Sequence, residues 1–230
     1  MTDMHTHSHA ADDTAADTVA DIRAVAARLG IVPVIVLDSV DDAVPLGEAL
    51  VRGGLPVAEV TFRTAAAEES LARMAQIDGL LVGAGTLRTP EQVAAAARAG
   101  ARFAVTPGLS PRIVDACRKH GLPLLPGVSS ATDIHAATEL GLSVLKFFPA
   151  QASGGAPAIA ALSAPFGDVR FMPTGGVSPD NLADYLRLPS VLAAGGSWMV
   201  APDLIRAGRW EEIERRCRDA VRQAADLRAH

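Results

Sequence analysis

Short apolar segments recur along the chain from Ile31 onward, and each is followed by Gly, Pro or Thr and then by a helical segment. This strand–helix repeat predicts parallel strands, because a parallel neighbour is reached only through a right-handed crossover. Eight segments predict a single-domain α/β protein, a (β/α)8 TIM barrel with an N-terminal helix from Thr18 to Leu29. The segments are IVPVIVL, VAEVTF, LLVGAGT, RFAVTPG, PLLPGV, VLKFFPA, VRFMPTGG and VLAAGGS.

The helical segments carry recognisable start signals. In TPEQVAAAARAG, Thr89 is placed to cap a helix, Pro90 suits its first turn and Gln92 completes a capping box. Further starts by the same logic are at Ser110, Ser130 and Ser178. A doubly wound open sheet is the alternative fold, but the chain lacks a GxGxxG fingerprint and its repeat is even, which favours the barrel.

The first residues differ in composition from the rest of the chain. Residues 1–17 are polar and acidic, with His5, His7 and His9 at alternate positions. Alternating histidines can bind a metal weakly, whereas a polar terminus is typical of a flexible tail, and the composition favours the tail. We therefore expect a flexible tail over 1–17 and one barrel domain over 18–230.

Charge and cysteine content narrow the classes of function. The formal net charge of −5 speaks against a nucleic acid or an anionic membrane as partner, but it leaves room for a local anion pocket. Cys117 and Cys217 lie far apart without CxxC spacing, so we expect a reduced, cytoplasmic chain. No apolar run is as long as a membrane span, and we expect no signal peptide.

A lysine lies inside one of the apolar segments. In SVLKFF, Lys146 shares a face with Phe148. In VAEVTFRT, Glu59 shares a face with Arg63. Helices cover the outside of a barrel, so the inward placement of these charges costs less than burial against apolar helix faces.

A structural salt bridge between Lys146 and Glu59 is the alternative to a functional site. Such pairs rarely stabilise a fold more than apolar residues would. Three ionisable side chains on inward positions near strand ends, beside glycine-rich loops, favour a site instead.

These residue types suit Schiff-base chemistry. Desolvation lowers the pKa of a lysine in a dry pocket, and the neutral amine of Lys146 can then attack a ketone. Glu59 is the candidate acid/base for the proton transfers. Arg63 can pair with both oxygens of a substrate carboxylate, and Thr86 at the end of GAGT can donate its hydroxyl to the same group. The strand ends contain no His/Asp/Glu cluster with metal-ligand spacing, so we expect no metal.

Two glycine pairs follow the last two strands. The segments PTGGVSP and AAGGSW place Gly175, Gly176, Gly196 and Ser197 where barrels commonly bind phosphate through backbone N–H groups. Glycine also serves tight turns, so one pair would be weak support. Two pairs in these two turns predict a phosphate site.

Several motifs in order resemble those of one family: EVTFRT, VGAGT, VTPGLS, LPGVSS, KFFPA, PTGGVSP and GGSW. This is the 2-keto-3-deoxy-6-phosphogluconate (KDPG) and 4-hydroxy-2-oxoglutarate (KHG) aldolase family, and the resemblance runs from about Val32 to near the C-terminus. It implies a class I, Schiff-base lyase of the Entner–Doudoroff pathway that needs no cofactor. Its substrate would be KDPG, a small phosphorylated keto acid, cleaved to pyruvate and glyceraldehyde 3-phosphate, with KHG as a further substrate. It also implies a cytoplasmic homotrimer without a nucleic-acid or membrane partner.

The resemblance also implies roles for individual residues. Lys146 of KFFPA would form the Schiff base, and Glu59 of EVTFRT would be the general acid/base. Arg63 and Thr86 would hold the substrate carboxylate. The remaining positions are the phosphate-binding residues Thr174, Gly175, Gly176, Gly196 and Ser197 and the pocket-lining residues Pro107 and Phe148.

Two alternative functions follow from the same motifs. A sibling aldolase acting on the phosphogalactonate epimer shares the barrel and the lysine, but it differs at KFFPA, PTGG and GGSW. A non-catalytic phosphate-binding or regulatory barrel could retain the framework. The latter has no need of a buried amine, whereas Lys146, Glu59 and Arg63 are all present here.

Overall fold

The computed structural model of the chain describes residues 22–229. In this part of the chain short strands alternate with helices, as the repeat predicts. The strands are β1 (Ile31–Ile35), β2 (Val57–Thr61), β3 (Leu81–Gly85), β4 (Ala104–Val105), β5 (Leu124–Leu125), β6 (Gly127–Val128), β7 (Val144–Phe147), β8 (Arg170–Pro173) and β9 (Ala194–Gly196). The helices are α1 (residues 22–29), α2 (Ala43–Arg52), α3 (Ala67–Met74), α4 (Pro90–Arg98), α5 (Pro111–Lys119), α6 (Ala131–Glu139), α7 (Gly155–Ser163), α8 (Leu182–Leu186), α9 (Pro202–Arg206) and α10 (Trp210–Arg228), with 3-10 turns at Val40–Asp42 and Trp198–Val200.

Backbone pairing joins the strands into two parallel sheets. One has the order β5-β4-β3-β2-β1-β9, and the other has the order β6-β7-β8. Single parallel bridges, from Phe171 to Val191 and from Thr174 to Gly195, connect the second sheet to the β9 side of the first. The predicted α/β class with parallel strands is confirmed, but the strands form two sheets rather than one continuous sheet of eight.

The segment PLLPGV forms two strands instead of the one predicted. Pro126 separates β5 from β6, and its ring nitrogen has no hydrogen to donate to a neighbouring strand. Its carbonyl still accepts a hydrogen bond from the backbone N–H of Lys146, at 2.9 Å. Because β5 pairs with β4 whereas β6 pairs with β7, the two sheets part at this proline.

The N-terminal helix α1 ends at Leu29, as predicted. Ile22, Ala26 and Leu29 are buried, at the spacing by which a helix turns one face towards the core. The predicted helix start at Thr18 lies outside the described residues. The predicted tail over 1–17, with its histidines, lies outside them as well.

Both faces of the parallel strands are buried, which is expected where helices cover a sheet. On β2, Ala58 and Val60 are fully buried on one face and Glu59 is fully buried on the other. The ring of Phe103 lies against Gly83, where a Cβ would be only 2.3 Å from the ring. Gly83 is the backbone partner of Glu59 in β3, so an aromatic ring fills the interior close to the glutamate.

The predicted capping signals are borne out at two helices. Thr89 accepts a hydrogen bond from the backbone N–H of Gln92 at the start of α4. The Gln92 side chain, however, accepts from the N–H of Arg88 and not from that of the cap residue. At the start of α6, Ser130 and Asp133 form a complete capping box.

Two other predicted helix starts differ from the structure. Ser110 occupies the N-cap of α5, but its side chain makes no capping hydrogen bond. Ser178 does not cap a helix, since α8 begins at Leu182. The side chain of Asn181 accepts a hydrogen bond from the backbone N–H of Ser178 at 2.9 Å, and the chain makes a turn there before the helix starts.

We expect Ser130→Ala to lower the free energy of unfolding by about 1 kcal/mol, because the first turn of α6 loses its side-chain acceptor. Ser110→Ala is the matched control and should cost less, since the Ser110 hydroxyl makes no capping bond. Chemical denaturation of both variants measures the difference. Equal losses in the two variants would contradict the capping assignment.

Candidate active site

A lysine and a glutamate are in contact inside the strands. Lys146, the third residue of β7, donates a hydrogen bond from Nζ to Oε1 of Glu59 at 3.1 Å. Glu59 is 0% exposed and Lys146 is 4% exposed. Both side chains therefore point inwards, which is the placement expected from the alternation of side chains along each strand.

The strand neighbours of this pair are small or apolar. They are Val34 and Gly83 beside Glu59, and Gly127 and Met172 beside Lys146. None of these side chains can solvate a charge. The ammonium and the carboxylate therefore depend on each other for compensation, as buried charges generally do.

The second carboxylate oxygen of Glu59, Oε2, is also buried. No donor among residues 22–229 forms a hydrogen bond with it. Buried polar atoms nearly always have a hydrogen-bond partner, so an orphaned carboxylate oxygen calls for an explanation. A carboxylate oxygen without a protein donor has a free lone pair, which is what a general acid/base needs for proton exchange.

Gly85, the last residue of β3, makes room for Glu59. A Cβ at this position would lie 2.3 Å from Oε1 and 2.6 Å from Cγ of Glu59, which is closer than real Cβ atoms approach. The glutamate is fully buried, so it could not move aside without disturbing its contact with Lys146. The second glycine of VGAGT is thus a steric requirement of the pair, and sequence reasoning missed it.

Arg63 lies just beyond the end of β2, where it is exposed. The threonines around it anchor this part of the chain to the segment that follows β1. Thr61 donates its hydroxyl to the carbonyl of Ile35 at 2.8 Å, and Thr64 donates to the carbonyl of Leu37. These two bonds restrain the backbone on both sides of the arginine.

Thr86 follows Gly85 and has a φ of 59°. It is the one non-glycine residue with a positive φ among residues 22–229. A β-branched residue in the left-handed region is strained, and such residues cluster at functional sites. The conformation therefore agrees with the selection of Thr86 as a candidate site residue.

A cleft of about 260 Å³ opens at the carboxyl ends of the strands. The predicted site residues that line it are Arg63, Phe148, Thr174, Gly175, Gly176, Gly196 and Ser197. Val34 and Val36 line it as well, although sequence reasoning did not assign them. Alternation along IVPVIVL puts Val34 and Val36 on one face, but only the structure shows that this face is the one of Glu59, the strand partner of Val34.

Four predicted residues are not among those that line this cleft: the buried pair Lys146 and Glu59, together with Thr86 and Pro107. Pro107 is exposed, and its carbonyl packs against Gly127, where a Cβ would lie 2.2 Å from the oxygen. Phe148 connects the cleft with the buried pair, since the centroid of its ring is 5.2 Å from Nζ of Lys146.

The turn after β8 presents backbone to the cleft. Gly175 and Gly176 have φ values of 98° and 78°, a conformation that glycine adopts without a steric penalty. The backbone N–H of Gly176 forms no hydrogen bond with the backbone of residues 22–229. Unpaired N–H groups on the wall of a cleft suit an anion, because each carries a partial positive charge.

The described residues do not form other common kinds of site. Residues 22–229 contain no group of three or more His, Cys, Asp or Glu that could hold a metal ion. None of the helices over the same range is both long enough and apolar enough to cross a membrane. Cys117 and Cys217 are buried thiols, and burial raises the pKa of each to about 12, so neither is a ready nucleophile.

A buried lysine in contact with a glutamate inside parallel strands suits an α/β enzyme that forms a Schiff base with a carbonyl substrate, as a carbon–carbon lyase does. Comparison with known proteins agrees with this class and gives the family. The family model described as KDPG and KHG aldolase matches residues 22–216. The chain belongs to this family and is an aldolase.

Similar proteins include two bacterial aldolases. The 2-dehydro-3-deoxy-phosphogluconate aldolase of Treponema pallidum is 49% identical over 187 residues, which cover 81% of this chain and 89% of the relative. The KHG/KDPG aldolase of Escherichia coli K12 is 45% identical over 195 residues, which cover 84% of this chain and 92% of the relative. The resemblance inferred from the motifs is thereby confirmed.

A solved structure with the same fold is that of KDPG aldolase from Legionella pneumophila. It superposes with a TM-score of 0.83 at 41% identity, and the match covers 86% of this chain and 97% of that one. That structure contains pyruvate captured at low pH as a covalent carbinolamine intermediate.

We expect Gly85→Ala to lower kcat at least about tenfold, because the added methyl group would displace the Glu59 carboxylate from Lys146 and general acid–base catalysis would be impaired. Steady-state kinetics together with a melting curve measures this effect. Gly167→Ala is the matched control, since a Cβ at Gly167 meets no atom within 4 Å. Unchanged kcat in a folded Gly85→Ala variant would contradict the steric role of this glycine.

Proposed function

We propose that the chain cleaves KDPG to pyruvate and glyceraldehyde 3-phosphate through a Schiff base on Lys146. The observation that carries the proposal is the buried 3.1 Å contact between Nζ of Lys146 and Oε1 of Glu59. An amine beside a carboxylate can bond to a ketone and exchange protons with it at each step. The covalent pyruvate in the Legionella pneumophila relative supports the same chemistry here.

In the proposed reaction Glu59 takes a proton from Lys146, and the lone pair of Nζ then attacks the C2 keto carbon. The keto oxygen receives a proton from that nitrogen, which gives a neutral carbinolamine. Glu59 returns its proton to the carbinolamine hydroxyl, which leaves as water, and the resulting iminium can accept an electron pair. Glu59 removes the proton of the C4 hydroxyl, the C3–C4 bond breaks, and its electrons form an enamine as glyceraldehyde 3-phosphate leaves. Protonation at C3 and hydrolysis then release pyruvate and restore the lysine.

Arg63 and Thr86 are the proposed ligands of the substrate carboxylate. Arg63 lines the cleft, and the planar fork of a guanidinium matches two carboxylate oxygens. The strained backbone of Thr86 supports a functional role, since folding alone does not favour threonine in this conformation. Thr86 also directly follows Gly85, the residue that contacts the Glu59 carboxylate.

The proposed phosphate site is the part of the cleft formed by the two glycine pairs. Thr174, Gly175 and Gly176 follow β8. On the neighbouring side Gly196 is the last residue of β9 and Ser197 follows it. The unpaired N–H groups of the first turn support this assignment. Phe148 would contact the part of the substrate between the phosphate and the keto carbon, and Pro107 remains a predicted pocket residue.

KHG is the second proposed substrate. It has the same 2-keto acid end as KDPG, so it would use Lys146, Glu59 and Arg63 in the same way. It carries no phosphate, so the glycine turns would not be needed for its recognition. The Escherichia coli relative, which is named for both substrates, supports this dual activity.

The two sheets are proposed to close into one (β/α)8 barrel. If β5 and β6 count as one strand interrupted at Pro126, residues 22–229 form eight strands. β9 pairs with β1 in the first sheet, and the bridge between Thr174 and Gly195 links it to β8 of the second. The strand order then runs once around a cylinder, with the cleft at the carboxyl ends, where such barrels carry their chemistry.

The proposal also includes one domain over residues 18–230, a tail over 1–17, a cytoplasmic location and a homotrimer. A single hydrophobic cluster that runs from Ile22 to Ala224 supports one domain. The unpaired, buried thiols of Cys117 and Cys217 are compatible with a reducing compartment. The trimer is supported by the family resemblance, and analytical ultracentrifugation would test it.

We expect borohydride to trap one pyruvate adduct on the protein, because reduction fixes the Schiff base on Lys146. The chain has a second lysine, Lys119, which is exposed at the end of α5 and serves as the matched control. Intact-mass measurement should find the adduct in the unmutated protein and in Lys119→Met, and none in Lys146→Met. An adduct in Lys146→Met, or none in the unmutated protein, would overturn the proposed function.

A further inference from the structure

The turn that follows β8 is held from outside the cleft by three side chains that the proposed mechanism does not use. We propose that Asn181, Gln151 and Tyr185 are positioning residues that orient this turn for the phosphate group. By orienting the turn, these residues would determine how strongly the enzyme prefers phosphorylated substrates over unphosphorylated ones. The inference rests on the proposed function and adds to it the origin of phosphate recognition.

The carbonyls of the turn are both occupied on the side away from the cleft. The carbonyl of Gly175 accepts a hydrogen bond from the backbone N–H of Gln151 at 3.0 Å. The carbonyl of Gly176 accepts from Nδ2 of Asn181 at 2.9 Å. Two successive peptide groups are therefore fixed in orientation.

Fixing these carbonyls also fixes the N–H groups. In a planar trans peptide the C=O of one residue and the N–H of the next point in opposite directions. The N–H groups of Gly176 and Val177 are thus turned away from Gln151 and Asn181. Both residues line the cleft, and neither N–H group forms a hydrogen bond with the backbone of residues 22–229.

Asn181 is itself fixed at both ends of its amide group. Its Oδ1 accepts from the backbone N–H of Ser178 at 2.9 Å, while its Nδ2 donates to Gly176. The side chain thus closes the loop that joins the turn to α8. Alanine at this position would free the carbonyl of Gly176 and let its peptide group rotate.

Gln151 packs against the turn, and its side chain is held by a hydrogen bond from α8. A Cβ at Gly176 would lie 2.5 Å from Cβ of Gln151, so the two residues are in direct contact. The hydroxyl of Tyr185, a buried residue of α8, donates to Oε1 of Gln151 at 2.8 Å. Burial, together with the charge of Asp184, raises the pKa of Tyr185, so the phenol retains the proton that it donates.

None of these three side chains forms a hydrogen bond with Lys146 or Glu59, so their removal should affect phosphate recognition and leave the chemistry intact. We expect Asn181→Ala and Tyr185→Phe each to raise the KM for KDPG about fivefold, the effect of one lost hydrogen bond. The kcat for KDPG and the pyruvate concentration that half-saturates borohydride trapping should stay within about twofold of the unmutated values. Pyruvate has no phosphate, so trapping reports the lysine chemistry alone.

Tyr185→Phe removes only one hydroxyl, so it still tests the positioning role if Asn181→Ala does not fold. Ser163→Ala is the matched control, because it removes a side-chain bond to the carbonyl of Ala160 on α7. Unchanged KM for KDPG in both folded variants, or an equal loss in KDPG cleavage and pyruvate trapping, would overturn the positioning role. Absence of trapping in the unmutated protein would instead overturn the proposed function and this inference with it.

Discussion

The contact between Lys146 and Glu59 is the interaction on which the surrounding structure depends. Charges buried among small and apolar neighbours are tolerated only as a pair, and removal of one partner from such a pair typically costs about 3–5 kcal/mol. The contact needs space for the carboxylate, which Gly85 provides. It also needs a filled interior nearby, which the ring of Phe103 against Gly83 supplies. The two glycines of VGAGT therefore support the pair because they lack a side chain. Gly85 leaves space for the carboxylate, and Gly83 leaves space for the Phe103 ring.

The cleft at the strand ends offers positive charge and hydrogen-bond donors to a ligand, whereas the buried pair offers reactive side chains. In the interior two ionisable side chains act on each other at short range, whereas the wall of the cleft offers Arg63 and unpaired backbone N–H groups. The proposed reaction divides along the same line, with bond cleavage at the pair and charge recognition at the cleft. One aldolase can then act on substrates that share a keto acid end and differ in the group at the other end.

The sequence predicted the features that depend on period and order. Alternation along β2 and β7 was sufficient to predict that Glu59 and Lys146 both point into the interior, although they are 87 positions apart in the sequence. It could not predict contacts that arise only when separate segments meet, such as Tyr185 with Gln151 or the orphaned Oε2 of Glu59. Local signals also failed where another bond competed, as at Ser178, whose N–H is taken by Asn181. The sequence shows the proline in the fifth apolar segment. It does not show that the segment divides there into β5, which pairs with β4, and β6, which pairs with β7.

Exchange of the methyl hydrogens of pyruvate for deuterium in D2O, followed by proton NMR, tests most directly whether the two residues act together. If Lys146 forms the iminium and Glu59 moves the proton at C3, the unmutated protein should exchange these hydrogens and Lys146→Met should not. Glu59→Gln should exchange them at least about 10²-fold more slowly while still forming the borohydride-trapped adduct. Exchange at the unmutated rate in either variant would contradict a joint role for the amine and the carboxylate.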